Sequence, residues 1–323
     1  MSAWSGASTH STGPERGSLR YNQRFALLAI MTYCVAMRLH AGLVFLSDSR
    51  TNAGIDNVGT FRKMYAFENP GDRTMVLMTS GNLSLSQAIR QMISEHVNAE
   101  GKTIWTVGSM FEAAQIVGEA IRLVYARDAK ALEEFGIDFN VRMIFGGQIG
   151  NEGCRLFQVY SAGNFIESHD ENPYFQIGES KYGKPIIDRV ITPGSSLDEA
   201  AKCALISMDS TLRSNVSVGL PLDLLVYETG SLAITRFVNI TEKNRYFQMI
   251  RGIWGEQLKR IFEGIDDPVW NAPDQTLPIA LSVAGDRSHP VRIQPPPELR
   301  VQPKSEMPPP LQSVAQENGG GQH

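Results

Sequence analysis

Residues 32–50 read TYCVAMRLHAGLVFLSDSR, two β-branched or apolar runs separated by His40, Ala41 and Gly42. This pattern predicts an antiparallel hairpin, because a short Gly-containing turn between two strand-like runs reverses the chain. A hairpin at the head of the fold argues against a doubly wound parallel sheet, which needs a crossover helix between consecutive strands.

Working outward, residues 73–81 (RTMVLMTSG) predict a third strand. Residues 84–97 then place Leu85, Ala88, Ile89, Met92 and Ile93 at helical spacing, with Ser84 as the expected cap. A second helix is expected over 109–135, followed by a hairpin of 139–150 and 154–163 turning at NEG. Next come a helix over 196–213, strands over 221–229 and 231–238 around Gly230, and a final helix over 241–265. Hairpin strands alternating with runs of helices predict an α+β fold, with two antiparallel sheets face to face and a helix pair on each outer side. Gly147, Gly150 and Gly153 resemble a nucleotide loop only superficially, since a phosphate-cradling loop must open a helix and this one leads into a strand.

The flanks differ from this middle. Residues 1–31 are mostly Ser-, Gly-, Thr- and Arg-rich and are expected to be a disordered extension or a mis-assigned start, absent from the mature protein. Arg16, Arg20 and Arg24 before the apolar run from Phe25 resemble a signal peptide, yet there is no A-x-A cleavage site and the run is too short to span a bilayer. Residues 266–323 hold most of the prolines and are expected to be a disordered Pro-rich tail, leaving 32–265 as the folded domain.

Within 323 residues, 30 Lys and Arg stand against 34 Asp and Glu, so there is no basic field of the kind nucleic acid or an anionic membrane demands. Cys34, Cys154 and Cys203 are far apart with no C-x-x-C pair, which argues against a disulfide framework and for a reducing, cytoplasmic home. The six histidines show no metal-ligand spacing, and neither a metal nor an organic cofactor is expected.

Thr32, Asp48 and Lys63 are, singly, an ordinary strand residue, strand terminator and surface cation. Together they gain interest: Thr32 opens the first strand, Asp48 ends the second, and Lys63 follows a Gly- and Asn-rich connection able to return it beneath the strand ends. An amino-terminal threonine supplies both nucleophile and base, because its α-amine, with a reference pKa near 8, can take the hydroxyl proton at neutral pH. A neighbouring lysine favours that transfer, and an aspartate keeps the lysine charged and in place.

Residues 31–39 (MTYCVAMRL), 42–64, 79–89 (TSGNLSLSQAI), 144–150 (IFGGQIG), 177–189 (IGESKYGKPIIDR) and 212–228 (LRSNVSVGLPLDLLVYE) together resemble the ancestral beta subunit (Anbu) family of bacterial proteasome-type proteases. The resemblance covers about 32–265 and implies the αββα sandwich of the N-terminal nucleophile hydrolases. It implies that Thr32 is the catalytic threonine, Asp48 and Lys63 its partners, and Arg50 a structural arginine. Gly81 is the implied turn glycine beside the oxyanion hole, and Ser180 and Ser217 are the serines that orient the terminal amine.

Two departures stand out. Ser214 occupies the place, three residues before the second serine, where proteasome beta subunits commonly carry an aspartate. Met31 precedes Thr32 where propeptides usually end in glycine, so initiation at Met31 followed by removal of that methionine is the expected route to a free Thr32. The implied function is a threonine-type endopeptidase or amide hydrolase acting on a peptide or amide substrate and self-assembling into a ring or open-ring helical oligomer. Family members are often encoded beside ligase-like and transglutaminase-like proteins, which implies as alternatives the processing of one specific product, or a catalytically silent ring scaffold.

Overall fold

A computed structural model describes residues 32–52 and 58–267; the expectations for 1–31 and for most of 266–323 lie outside the described residues. The chain divides into two units, Met1–Ile265 and Asp266–His323, and every element below belongs to the first.

The first strand, β1 (Tyr33–Leu39), turns through His40 and Ala41 into β2 (Gly42–Asp48). The two-residue turn sets the register: Leu39 faces Gly42 and Cys34 faces Ser47, so Asp48 arrives beside the first residue of β1. A small ribbon, β3 (Arg50–Asn52) paired with β4 (Val58–Thr60), carries the chain out and back. Strands β5 (Met64–Asn69) and β6 (Arg73–Gly81) then lead to α1 (Leu83–Glu95) and α2 (Met110–Glu134). Strands β7 (Val141–Ile149), β8 (Arg155–Val159), β9 (Phe165–Glu167) and β10 (Tyr174–Gly178) follow, then α3 (Lys184–Val190) and α4 (Leu197–Ser214). Strands β11 (Leu222–Glu228) and β12 (Arg236–Ile240) and helix α5 (Arg245–Glu263) complete the order.

Two five-stranded antiparallel sheets result, in the orders β10-β1-β2-β11-β12 and β5-β6-β7-β8-β9. Alternation along each strand divides the apolar residues among three cores. Ala36, Phe45 and Tyr227 of one sheet meet Val76, Ile144 and Leu156 of the other in the central core. The second sheet turns Leu77, Met143 and Phe157 toward Ile89, Val117 and Ile121 of α1 and α2. The first turns Val35, Val44 and Val226 toward Ala204 and Met208 of α4 and Phe247 of α5. The four layers of the expected αββα sandwich, proteasome-like, are therefore present.

Polar side chains set where the helices start. Asn82, not Ser84, caps α1: its side chain accepts the Ser84 N–H at 3.0 Å. Ser196 and Glu199 form a reciprocal capping box on α4, and Asn244 accepts the Phe247 N–H at 2.9 Å to open α5. Helices α4 and α5 are tied by buried Asp209, which accepts from Arg213 at 3.1 Å and Arg251 at 2.9 Å. Among the described residues no helix is long and apolar enough to cross a membrane.

Phe45 is fully buried in the central core, with its ring against Gly146 of the facing sheet. Phe45→Ala is expected to lower stability by about 3–5 kcal/mol, because the sheets cannot collapse onto the void. A urea midpoint lowered at constant m-value is the measurement.

Candidate functional site

The hairpin register that brings Asp48 opposite Tyr33 places its carboxylate under the start of β1. Asp48 Oδ1 accepts the Tyr33 N–H at 3.0 Å, which ties the residue directly after Thr32. Lys63 Nζ donates to both oxygens of Asp48, at 2.8 and 2.9 Å, and to the Arg50 carbonyl at 2.7 Å. The return of Lys63 is built by the β3–β4 ribbon, where Arg50 faces Thr60, and by Phe61 N–H donating to Ser49 O at 2.9 Å. Asp48 is 0% and Lys63 6% exposed, so this ion pair is shielded from solvent. Burial pushes the Asp48 carboxyl above the ordinary aspartate value, while the Lys63 ammonium and the N–H groups of Tyr33 and Gly219 pull it back.

Thr32 itself is buried, 6% exposed, and is pinned from its other side. Its carbonyl accepts the Glu179 N–H at 2.7 Å. The backbone comes so close there that a Cβ on Gly178, at φ +83°, would sit 1.9 Å from the Thr32 carbonyl oxygen, so only glycine fits. Tyr33 anchors the strand from below: its hydroxyl lies 2.9 Å from Ser207 Oγ on α4 and accepts from Gln176 Nε2 of β10 at 2.6 Å. Burial pushes the Tyr33 hydroxyl and the neighbouring Cys34 thiol far above their usual titration ranges, so both stay neutral.

Ser180 follows Glu179 in the half-buried loop before α3, its carbonyl accepting the Lys184 N–H at 3.2 Å. Ser217 lies in the loop between α4 and β11, its hydroxyl donating to Asn215 Oδ1 at 2.5 Å. Arg50 organises that loop: its guanidinium donates to the Val216 carbonyl at 3.1 Å and lies flat on Gly219, where an added Cβ would come within 2.2 Å of Nε. Gly81 ends β6, opposite Val141, with φ +103° and the Asn140 carbonyl 2.3 Å from where a Cβ would stand. Its strand reaches the site through Thr79, whose N–H donates to the Lys63 carbonyl at 2.9 Å. Ser214, the last residue of α4, is exposed.

Thr32, Asp48, Lys63, Ser180 and Ser217 therefore belong to strand ends and loops gathered around the start of β1, with Gly81 at the end of β6 in the facing sheet. Sequence reasoning passed over Glu179 and Asn215, although both lie inside quoted motifs; a carboxylate between Gly178 and Ser180 was the available signal. Chemically, the arrangement offers one hydroxyl-bearing residue held on both flanks above a buried ion pair. Among the described residues no group of His, Cys, Asp and Glu could hold a metal ion.

The proteasome subunit family model matches residues 32–226, beginning at Thr32. Comparison with curated proteins finds no match. Among solved structures, Anbu (ancestral beta-subunit) from Yersinia bercovieri is 51% identical with a TM-score of 0.69, the match covering 74% of this chain and 100% of that one. Anbu from Hyphomicrobium sp. strain MC1 is 45% identical with a TM-score of 0.67, covering 74% and 100%. The helical assembly of the Anbu complex from Pseudomonas aeruginosa is 45% identical with a TM-score of 0.70, covering 74% and 99%. With the family model matched from Thr32 into β11, and Anbu structures covered over 99% or more of their own length at 45–51% identity, this chain belongs to the proteasome subunit family and, within it, to the Anbu group.

Proposed function

We propose that this protein is a threonine-type peptidase or amide hydrolase in which Thr32, as the amino-terminal residue, is the nucleophile. The observation that carries the reading is the burial of the Asp48–Lys63 pair directly beneath the residue at which the family match begins.

In the proposed reaction the Thr32 α-amine takes the proton from Oγ1 as that oxygen attacks the substrate carbonyl carbon. Lys63 favours this transfer by lowering the proton affinity of both groups, and Asp48 holds Lys63 charged and fixed. The tetrahedral oxyanion is met by backbone N–H at the Gly81 turn. Collapse breaks the C–N bond, the leaving amine takes the proton from the α-ammonium, and an ester to Oγ1 remains. Water then attacks the ester with the amine again as base, releasing the acid and restoring Thr32. Ser180 and Ser217 orient the amine.

The scheme requires Thr32 to have an amine, because an amide nitrogen cannot accept the proton. Initiation at Met31 with loss of that methionine supplies one without autolysis. The free thiols of Cys34, Cys154 and Cys203 fit a reducing, cytoplasmic home. Since the Pseudomonas aeruginosa relative forms a helical assembly, self-association of this chain into a ring or open-ring helix is part of the reading. The exposed Ser214, in place of a carboxylate, favours one particular peptide or amide substrate over bulk proteolysis.

Intact mass of active protein purified from its native host is expected to begin at Thr32, and an epoxyketone, which bonds to both hydroxyl and amine, is expected to add once per chain. A native protein retaining residues 1–31 overturns the mechanism. Thr32→Ala is expected to abolish the adduct.

Lys63→Ala is expected to reduce the single-turnover labelling rate by about 10²–10⁴-fold, the range of a lost proton-transfer contribution. It also strands Asp48 as a buried charge, at a cost of about 3–5 kcal/mol. In the wild type, the rate is expected to fall on the acid side as the amine takes up its proton. Because burial raises the Asp48 pKa, its carboxylate is protonated at a higher pH than an exposed aspartate, steepening that acid limb. A pH–rate profile of labelling measures it; a rate constant from pH 4 to 8 sinks the amine-as-base assignment.

A further inference from the structure

Glu179 touches both sides of the site. Its N–H holds the Thr32 carbonyl at 2.7 Å, while its carboxylate accepts the Lys181 N–H on Oε1 and the Asn215 side-chain amide on Oε2, each at 3.2 Å. Asn215 is the residue immediately after α4. Its other side-chain atom, Oδ1, accepts both the Ser217 N–H at 2.9 Å and the Ser217 hydroxyl at 2.5 Å.

The orientation of the Asn215 amide is dictated by these partners. A backbone N–H can only donate, so the atom facing Ser217 N must be the oxygen and the NH₂ must face Glu179. While it donates to Asn215, the Ser217 hydroxyl can meet a further N–H only as an acceptor. An acceptor is what an α-ammonium needs from a serine that orients it.

We infer that Glu179 is a positioning residue which, through Asn215, orients Ser217 toward the Thr32 amine and supplies the negative charge that position 214 lacks. This rests on the hydrolase reading above for its consequence in turnover, but not for its effect on the amine. The other charged groups on the surrounding elements include Asp48 of β2, Arg50 of β3, Lys63 ahead of β5, Lys181 ahead of α3, Lys184 and Asp188 of α3, Asp209 and Arg213 of α4, and Asp223 of β11. Asp48 is paired with Lys63, Asp188 with Lys184 and Asp209 with Arg213 and Arg251, while Asp223 accepts from Asn239 of β12; Glu179 is the carboxylate that bonds to Asn215 and so to the Ser217 loop. A carboxylate nearby favours the ammonium form and raises the amine pKa; removing its charge lowers that pKa and moves the acid limb of activity to lower pH. Charge and geometry are separable, because glutamine at 179 still accepts from Asn215 while carrying no charge.

The test compares wild type, Glu179→Gln and Glu179→Ala, all as full assemblies with Thr32 shown by mass spectrometry to be amino-terminal. Two properties are measured: the amine titration, by competitive acetylation of Thr32 with trace acetic anhydride across pH, and epoxyketone labelling or peptide turnover. Glu179→Ala is expected to lower kcat by about 10- to 100-fold, the cost of a misplaced reacting group, with KM within about twofold. Glu179→Gln is expected to lose less and to titrate its amine at lower pH than wild type. A Glu179→Gln protein with the wild-type amine titration overturns the inference whatever Glu179→Ala does. Wild-type protein that neither labels nor turns over substrate, yet shows the titration shift in Glu179→Gln, overturns the hydrolase reading and upholds this one.

Discussion

The rest of the site depends on one buried ion pair. Taking a carboxylate and an ammonium out of water costs several kcal/mol each, which their attraction offsets only where geometry is good and the remaining polar atoms are satisfied. At Asp48 and Lys63 both conditions hold: the carboxylate accepts from Lys63 twice and from the Tyr33 N–H, and Lys63 also donates to the Arg50 carbonyl. Such a pair adds little to stability compared with apolar side chains of equal volume. Its contribution is positional, since three separate chain segments, the start of β1, the end of β2 and the approach to β5, meet at one carboxylate.

Around that pair the surrounding loops are held by groups that permit only one arrangement. Arg50 lies on Gly219 and grips the Val216 carbonyl, which fixes the loop carrying Ser217. Ser49 binds the Pro221 carbonyl through both its N–H at 3.0 Å and its hydroxyl at 2.6 Å, fixing the same loop from β2. Gly178 admits the backbone of the Glu179–Ser180 loop against Thr32. The hydrophobic layers make the sheets rigid, and these polar and steric contacts convert that rigidity into placement of a few atoms.

The first hairpin was legible because both signals agreed: apolar runs of equal length and a short turn containing glycine. The long helices were legible from spacing, and the four-layer order followed from the alternation of hairpins with helices. Local features were harder to read. Ser84 looked like the cap of α1, yet Asn82, two residues earlier, competes better because its side chain reaches both the N–H and the hydroxyl of Ser84. Strand β10 and helix α3 lie in a stretch punctuated by Gly178, Gly183 and Pro185, where no period is long enough to register. The strand expected from Ser231 begins only at Arg236, because Gly230 and Leu232 both take positive φ and delay pairing. Asp48 and Lys63 were readable as a candidate pair because each sits at a strand boundary. Glu179 and Asn215 were not, because their partners lie 36 residues apart in the chain and neither type is unusual in a loop.

The way Thr32 is held also bears on the residues before it. Among the described residues its position is set by the Tyr33 N–H on Asp48, by its own carbonyl on Glu179, and by Tyr33's hydroxyl on Ser207 and Gln176. Each of these bonds uses an atom at or after the Thr32 carbonyl. None uses the Thr32 nitrogen, so they place the threonine equally well whether that nitrogen is an amide or an amine. Removing the preceding residues would therefore change the chemistry at one atom while leaving the bonds that aim it intact.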